Sequence, residues 1–143
     1  FIDTDLIIQQ NEKRLLQDII NNDGIEQFLR IEEAAITNLH AENCVIATGG
    51  SVVLSVKSMQ HVKTSSLIIY LEIPFAKLEQ RINNIAVRGI VIGQGQKLCD
   101  VYNERIPMYE AYAMGKIDCS HQSIEDVVQS VCAIVDSYES RYV

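Results

Sequence analysis

The unbroken apolar run Leu67-Ile68-Ile69-Tyr70-Leu71 is the feature that most constrains this chain. It is too short for a buried helix and long enough for a strand covered on both faces. Cys44-Val45-Ile46-Ala47 repeats the pattern, Phe1-Ile2-Asp3 reads as the end of another strand, and Ile117-Asp118-Cys119 as a short last one. Between these runs the apolar residues return at helical spacing. Strands alternating with helices specify the α/β class, a parallel sheet flanked by helices. In such sheets ligands bind at the carboxyl ends of the strands. Asp3-Thr4-Asp5 and Thr48-Gly49-Gly50 both lie at such ends.

The spacing predicts a helix over residues 12–22, with Leu15, Leu16, Ile19 and Ile20 on one side, broken by Asp23-Gly24. A second spans 25–39 on Phe28, Leu29, Ile36 and Leu39, and a third 52–62. Pro74 opens a fourth over 75–85, which presents Leu78 and Ile82. Residues 97–113 form a fifth that Pro107 bends or interrupts. Ser123, with Asp126 three residues on, caps a closing helix carrying Ile124, Val127, Val128, Val131, Cys132 and Val135. Three glycines within residues 87–96 make that stretch a mobile loop rather than a strand. The expected core is Val45, Ile46, Ile68, Ile69, Leu71, Ile117, Val128 and Val131.

At 143 residues the chain is expected to be one domain. Its net charge of −7 argues against nucleic acid and anionic membranes as partners, though a few arginines in a cleft can still hold an anionic small molecule. No apolar run approaches the ~20 residues of a membrane span, and no signal-peptide pattern occurs. Cys44, Cys99, Cys119 and Cys132 form no C-x-x-C pair and have no histidine at zinc spacing. Cys44, Cys119 and Cys132 fall at apolar positions. They read as buried free thiols in a reducing cytoplasm. His40, His61 and His121 show no partner spacing and are expected at the surface or at helix ends.

Five segments in order carry a resemblance: Asp3-Thr4-Asp5, Thr48-Gly49-Gly50, Arg81, Arg88 at the start of the glycine-rich stretch, and Arg105-Ile106-Pro107-Met108-Tyr109. Together they resemble the shikimate kinases, small members of the P-loop nucleoside-monophosphate-kinase-like fold. The resemblance implies ATP- and Mg2+-dependent phosphoryl transfer to the 3-hydroxyl of shikimate in a cytoplasmic monomer. This reaction asks the protein chiefly for positioning and charge neutralisation. By the same resemblance Asp3 holds the magnesium shell through water. Asp5 accepts a hydrogen bond from the attacking hydroxyl and acts as base. Gly49 and Gly50 let the backbone approach a small ring, and Arg105 clamps the substrate carboxylate. Arg88 reaches the transferred phosphate from a lid at about 87–96, and Arg81 packs on adenine. Each has a plainer reading: Asp5 as a helix N-cap, Gly49-Gly50 as a tight turn, Arg105 and Arg81 as solvated helix arginines.

Several departures stand out. The family pattern Gly-Glu-x-x-Phe-Arg-x-x-Glu aligns with Gly24-Ile25-Glu26-Gln27-Phe28-Leu29-Arg30-Ile31-Glu32, which places Leu29 at a carboxylate-binding arginine. Arg30 is turned about 100° away on a helix and does not substitute for it. The loss of one charged hydrogen-bond partner weakens anion binding by ~1.5–3 kcal/mol. Ser51 stands where the family has a third glycine, and Arg88-Gly89-Ile90-Val91 replaces Arg-Pro-Leu-Leu, which loosens the lid. No Gly-x-x-x-x-Gly-Lys-[Ser/Thr] occurs. In the family that loop follows a strand in mid-sheet, so a gap is expected between the Thr-Gly-Gly strand and the Leu67–Leu71 strand. The simplest account is a longer protein whose preceding segment carries the loop, these residues alone being inactive. Two other functions stay open: a related phosphotransferase acting on another small hydroxy compound, and a non-catalytic kinase-fold binding module.

Overall fold

The computed structural model describes residues 1–82 and 90–142. Strand β1 (Ile2–Asp3) leads directly into α1 (Thr4–Glu12). The Asp3 carboxylate caps α1, accepting from the backbone N–H of Asp5 at 2.9 Å and of Leu6 at 3.4 Å. The helix expected over 12–22 starts later than expected, and α1 lies ahead of it. Lys13 leaves helical geometry at φ 54°, and α2 follows over Leu16–Asp23. Arg14 clasps the joint, its guanidinium 2.6 Å from Asp23 and 3.2 Å from Glu12.

Gly24 joins α2 to α3 (Ile25–Thr37) at φ 85°, a conformation that favours glycine. Its N–H donates to the Ile20 carbonyl and its own carbonyl accepts from Phe28 N–H, each at 3.1 Å. Then come β2 (Ile46–Ala47) and a 3-10 turn over Gly50–Leu54. The helix expected from residue 52 starts later, as α4 (Val56–Ser65), because the Ser55 hydroxyl accepts from Ser58 N–H at 3.0 Å. The remaining elements are β3 (Ile69–Glu72), α5 (Phe75–Ile82), α6 (Leu98–Tyr112), β4 (Gly115–Asp118) and α7 (Ile124–Tyr142). Pro107 lies inside α6 without ending it. The Ser123–Asp126 capping box is formed: Ser123 Oγ accepts from Asp126 N–H at 3.1 Å, and Asp126 Oδ2 accepts from Ser123 N–H at 3.0 Å. No strand runs through residues 90–96.

The fold is α/β, with parallel strands flanked by helices. β1 pairs with β2, with Ile2 opposite Ile46, and β3 pairs with β4, with Ile69 opposite Gly115. Among the described residues no ladder joins β2 to β3, so the two pairs stand as separate parallel sheets.

The core lies elsewhere than the strands suggest. One cluster packs Ile8 of α1, Leu16 and Ile19 of α2 and Phe28 of α3 around Val91. A second packs Ile36 of α3 with Val52, Val53 and Met59, flanked by Met108, Tyr109 and Tyr112 of α6. Of the expected core residues Ile117 is buried, and Ile46, Ile68, Ile69 and Val131 are half-buried. Val45, Leu71 and Val128 are corrected to exposed, at 60%, 50% and 55%. Among the described residues each sheet has only two strands, and Val45, just ahead of β2, and Leu71 of β3 stay open to solvent. The apolar stripe of α7 likewise outruns the short β4 it packs on, leaving Val128 in solvent. Cys119 is buried as expected, but Cys44 and Cys132 are exposed and Cys99 is half-buried. Cys44 precedes β2 rather than lying in it, and Cys132 is on the open side of α7. His40 and His121 are exposed; His61 is half-buried, its Nε2 3.0 Å from the Leu39 carbonyl oxygen.

Candidate acceptor site at the ends of β1 and β2

The pairing of β1 with β2 sets Asp5, in the first turn of α1, beside Gly49, at the entry to the 3-10 turn. A Cβ on Gly49 would meet Asp5 Oδ1 at 3.0 Å and Glu32 Oε1 also at 3.0 Å. The missing side chain is thus the space into which two carboxyls point. A Cβ on Gly50 would meet the Tyr109 hydroxyl at 2.9 Å and Arg105 Nη1 at 3.9 Å. Arg105 and Tyr109 are four residues apart on α6 and so share one face. The Tyr109 hydroxyl donates to the Gly50 carbonyl at 2.8 Å, and its ring stacks on Tyr70 with centroids 5.2 Å apart. Gly50→Ala is expected to cost about 1–3 kcal/mol through overpacking against this held ring, measured by denaturant unfolding.

Arg105 is buried, 8% exposed, which removes the reading of a solvated surface arginine. Its Nη2 donates to the Val91 carbonyl at 2.7 Å. Val91 is itself seated among Ile8, Leu16, Ile19 and Phe28. The described part of the predicted lid is therefore tied to the site by its backbone and to the helical core by its side chain.

The structure brings Asp5, Gly49, Gly50 and Arg105 together. Asp3 stands next to them, but as the cap of α1, the task the plainer reading gave to Asp5. One Asp3 oxygen takes both cap bonds, and a carboxylate has a second for a metal-bound water. Arg81 is exposed on α5. Arg88 lies outside the described residues. Among the described residues no group of three or more His, Cys, Asp or Glu side chains could hold a metal. Magnesium commonly keeps several waters and needs only one or two carboxylates beside the phosphates, so Asp3 at a strand end is compatible with it. Arg30, exposed and 3.9 Å from Glu26, lines the same cavity as Leu29 and Glu32.

Sequence reasoning gave no task to Glu32, Ser51 or Tyr109. Glu32 is 3% exposed, and the Ser51 hydroxyl donates to its Oε1 at 2.8 Å. Burial, aided by the nearby Asp5 charge, pushes its pKa from 4.5 up to about 7, against the pull of Ser51 and Arg105. Burial likewise raises the Tyr109 phenol above its ordinary range.

The sign for Glu32 follows directly. Between pH 4.5 and about 7 the folded chain keeps a proton that the unfolded chain has lost. Stability from this group is thus complete below pH 4.5 and declines as pH rises through about 7. The full decline is about 3 kcal/mol. Glu32→Gln is expected to remove it, so that the variant gains up to ~3 kcal/mol on wild type between pH 4.5 and pH 8 in urea unfolding.

Comparison with known proteins bears on the family and the fold. The family model for shikimate kinase matches residues 1–136. Shikimate kinase 2 of Pectobacterium carotovorum is 30% identical over 136 residues, covering 92% of this chain and 78% of that protein. Shikimate kinase 2 of Photorhabdus laumondii is 37% identical over 82 residues, a match spanning 57% of this chain and 47% of that protein. In fold the chain is similar to the shikimate kinase of Acinetobacter baumannii, solved in complex with shikimate. That likeness has a TM-score of 0.84 at 23% identity and covers 96% of this chain and 79% of the other.

Proposed function

The chain belongs to the shikimate kinase family, and on that premise we propose that residues 1–143 are one shikimate-kinase-like domain supplying the acceptor site of a cytoplasmic, monomeric small-molecule kinase. The reaction is ATP-dependent phosphoryl transfer to a hydroxyl, with shikimate the acceptor the family suggests. The observation that carries the reading is the convergence of Asp5, Arg105 and the bare backbone of Gly49 and Gly50 on one place at the ends of β1 and β2. Asp5 accepts the hydroxyl proton there, and Arg105 offers its guanidinium to a negative group on the acceptor. Asp3 anchors the water shell of Mg2+. ATP supplies the phosphoryl group, and Mg2+ balances the charge on its phosphates. Arg88 meets the transferred group from the lid, and Arg81 serves the adenine side. The glycine-rich phosphate loop is not among these 143 residues, so turnover is assigned to a protein that includes one.

A second acceptor class is favoured by one observation: Leu29, where the family pattern places an arginine, is half-buried against the core and shares a cavity lining with Arg30 and Glu32. Coupled measurement of ADP release with magnesium-ATP, with and without shikimate, separates these cases. Shikimate-dependent release supports the family acceptor. Nucleotide binding without a shikimate response moves the assignment to another hydroxy compound. No nucleotide binding by a form carrying the loop leaves a non-catalytic binding module.

A further inference from the structure

Two departures from the family pattern, Leu29 on α3 and Ser51 in the 3-10 turn, meet at one carboxyl. Leu29 stands three residues before Glu32, so the two share a helix face, and both line one cavity. The Ser51 hydroxyl donates to Glu32 Oε1 at 2.8 Å. An arginine three residues before a glutamate on a helix is placed to pair with it. The arginine of the family pattern would therefore face the carboxyl at position 32, and the third glycine would offer that carboxyl no side chain. In this chain the donor has changed sides: Leu29 carries none, and Ser51 carries one. Glu32 is 3% exposed, so its charged form needs a donor. The other groups facing it are Asp5 of α1 and Arg105 and Tyr109 of α6. Arg105 donates through Nη2 to the Val91 carbonyl. Arg30 and Glu33 line the cavity too, Arg30 being 3.9 Å from Glu26 and Glu33 3.5 Å from Lys57.

The held carboxyl lies where the acceptor is received: a Cβ on Gly49 would meet Glu32 Oε1 and Asp5 Oδ1, each at 3.0 Å. We propose that Ser51 is a positioning residue, whose hydroxyl does for Glu32 what an arginine at position 29 would do and keeps that carboxyl in place beside Gly49 and Asp5. The exchanges at positions 29 and 51 are then one coupled change. This inference rests on the acceptor-site reading above. Burial pushes Glu32 up to about 7 while Ser51 pulls it down, so without the hydroxyl the carboxyl keeps its proton to higher pH.

A double-mutant cycle tests it, with wild type, Ser51→Gly, Leu29→Arg and the double variant each in a form of the protein that carries the phosphate loop. Urea unfolding and calorimetric titration with shikimate are made at pH 8. In the wild-type background Ser51→Gly is expected to lower the folding equilibrium constant by about ten- to a hundredfold, the range for a hydrogen bond to a charged group, and to weaken shikimate binding. In the Leu29→Arg background the same change is expected to move either quantity by no more than about twofold. The backbone freedom that glycine adds enters both backgrounds alike and cancels, as does any direct contact of an arginine at position 29 with the acceptor. Carboxyl NMR titration of Ser51→Gly is expected to put the Glu32 midpoint above the value of about 7 in wild type. If the Leu29→Arg proteins do not fold, this midpoint decides, and an unmoved one overturns the inference. Equal losses in the two backgrounds overturn the coupling. Coupled stability with shikimate affinity unmoved by Ser51→Gly makes Ser51 a purely structural residue and overturns its positioning role. Binding of shikimate by none of the four overturns the acceptor-site reading and that role with it, while the unfolding cycle still decides the coupling.

Discussion

In a form of the protein that carries the phosphate loop, Asp5→Asn is expected to lower shikimate-dependent ADP release by about 10²–10⁴-fold, the usual contribution of a positioned general base. The amide keeps the size and hydrogen-bonding reach of the carboxylate but cannot take the hydroxyl proton. The local structure makes this a clean experiment. The start of α1 is held by Asp3, whose carboxylate accepts from Asp5 N–H and Leu6 N–H, so the cap survives a change in the Asp5 side chain. What Asp5 gives the helix is one negative charge in the first turn, worth about 0.3–1 kcal/mol. Thermal unfolding should therefore move little while turnover collapses. An unchanged rate would remove Asp5 from the reaction, and a collapse in stability instead would make it a structural residue.

Phe28→Ala is expected to cost about 3–5 kcal/mol of folding stability, the range for emptying a buried aromatic position. Phe28 is 1% exposed and stands where α1, α2 and α3 meet. It also contacts the cluster that seats Val91, and the Val91 carbonyl receives the Arg105 guanidinium. The loss should extend beyond stability: with Val91 loosened, acceptor binding through Arg105 weakens as well. Denaturant unfolding measures the first effect and acceptor titration the second. A marginal domain that gives up this much is expected to unfold near physiological temperature. Phe28→Leu refills most of the volume, so the titration can be made on a folded protein.

The elements of the fold were largely legible along the chain, because each announces itself locally. Leu67–Leu71 marks β3, Pro74 marks the start of α5, and Ser123 with Asp126 marks the start of α7. The errors have local causes too. Lys13 in a left-handed conformation ends α1 and delays the start of α2, and nothing in a lysine foretells that. The delayed start of α4 comes from the Ser55 hydroxyl, with a 3-10 turn absorbing Val52 and Val53. Val45, Leu71 and Val128 have apolar character that predicts burial, but burial needs a covering layer, and that is a property of the assembled sheets.

The same division runs through the site. Sequence by itself determined which segments meet: parallel strands put their carboxyl ends on one side, so Asp5 and Gly49-Gly50 were bound to be neighbours. The Arg105–Tyr109 spacing put two polar groups on one helix face. Tertiary structure alone decided that Asp3, and not Asp5, caps α1, since both carboxylates are within reach of a helix start and only the backbone path selects one. It also decided that Arg105 is buried against Val91, and that Glu32 and Ser51, nineteen residues apart, form a hydrogen bond. Contacts between residues distant in the chain depend on how helices pack, and the spacing of residues within a helix carries no record of what lies across from it.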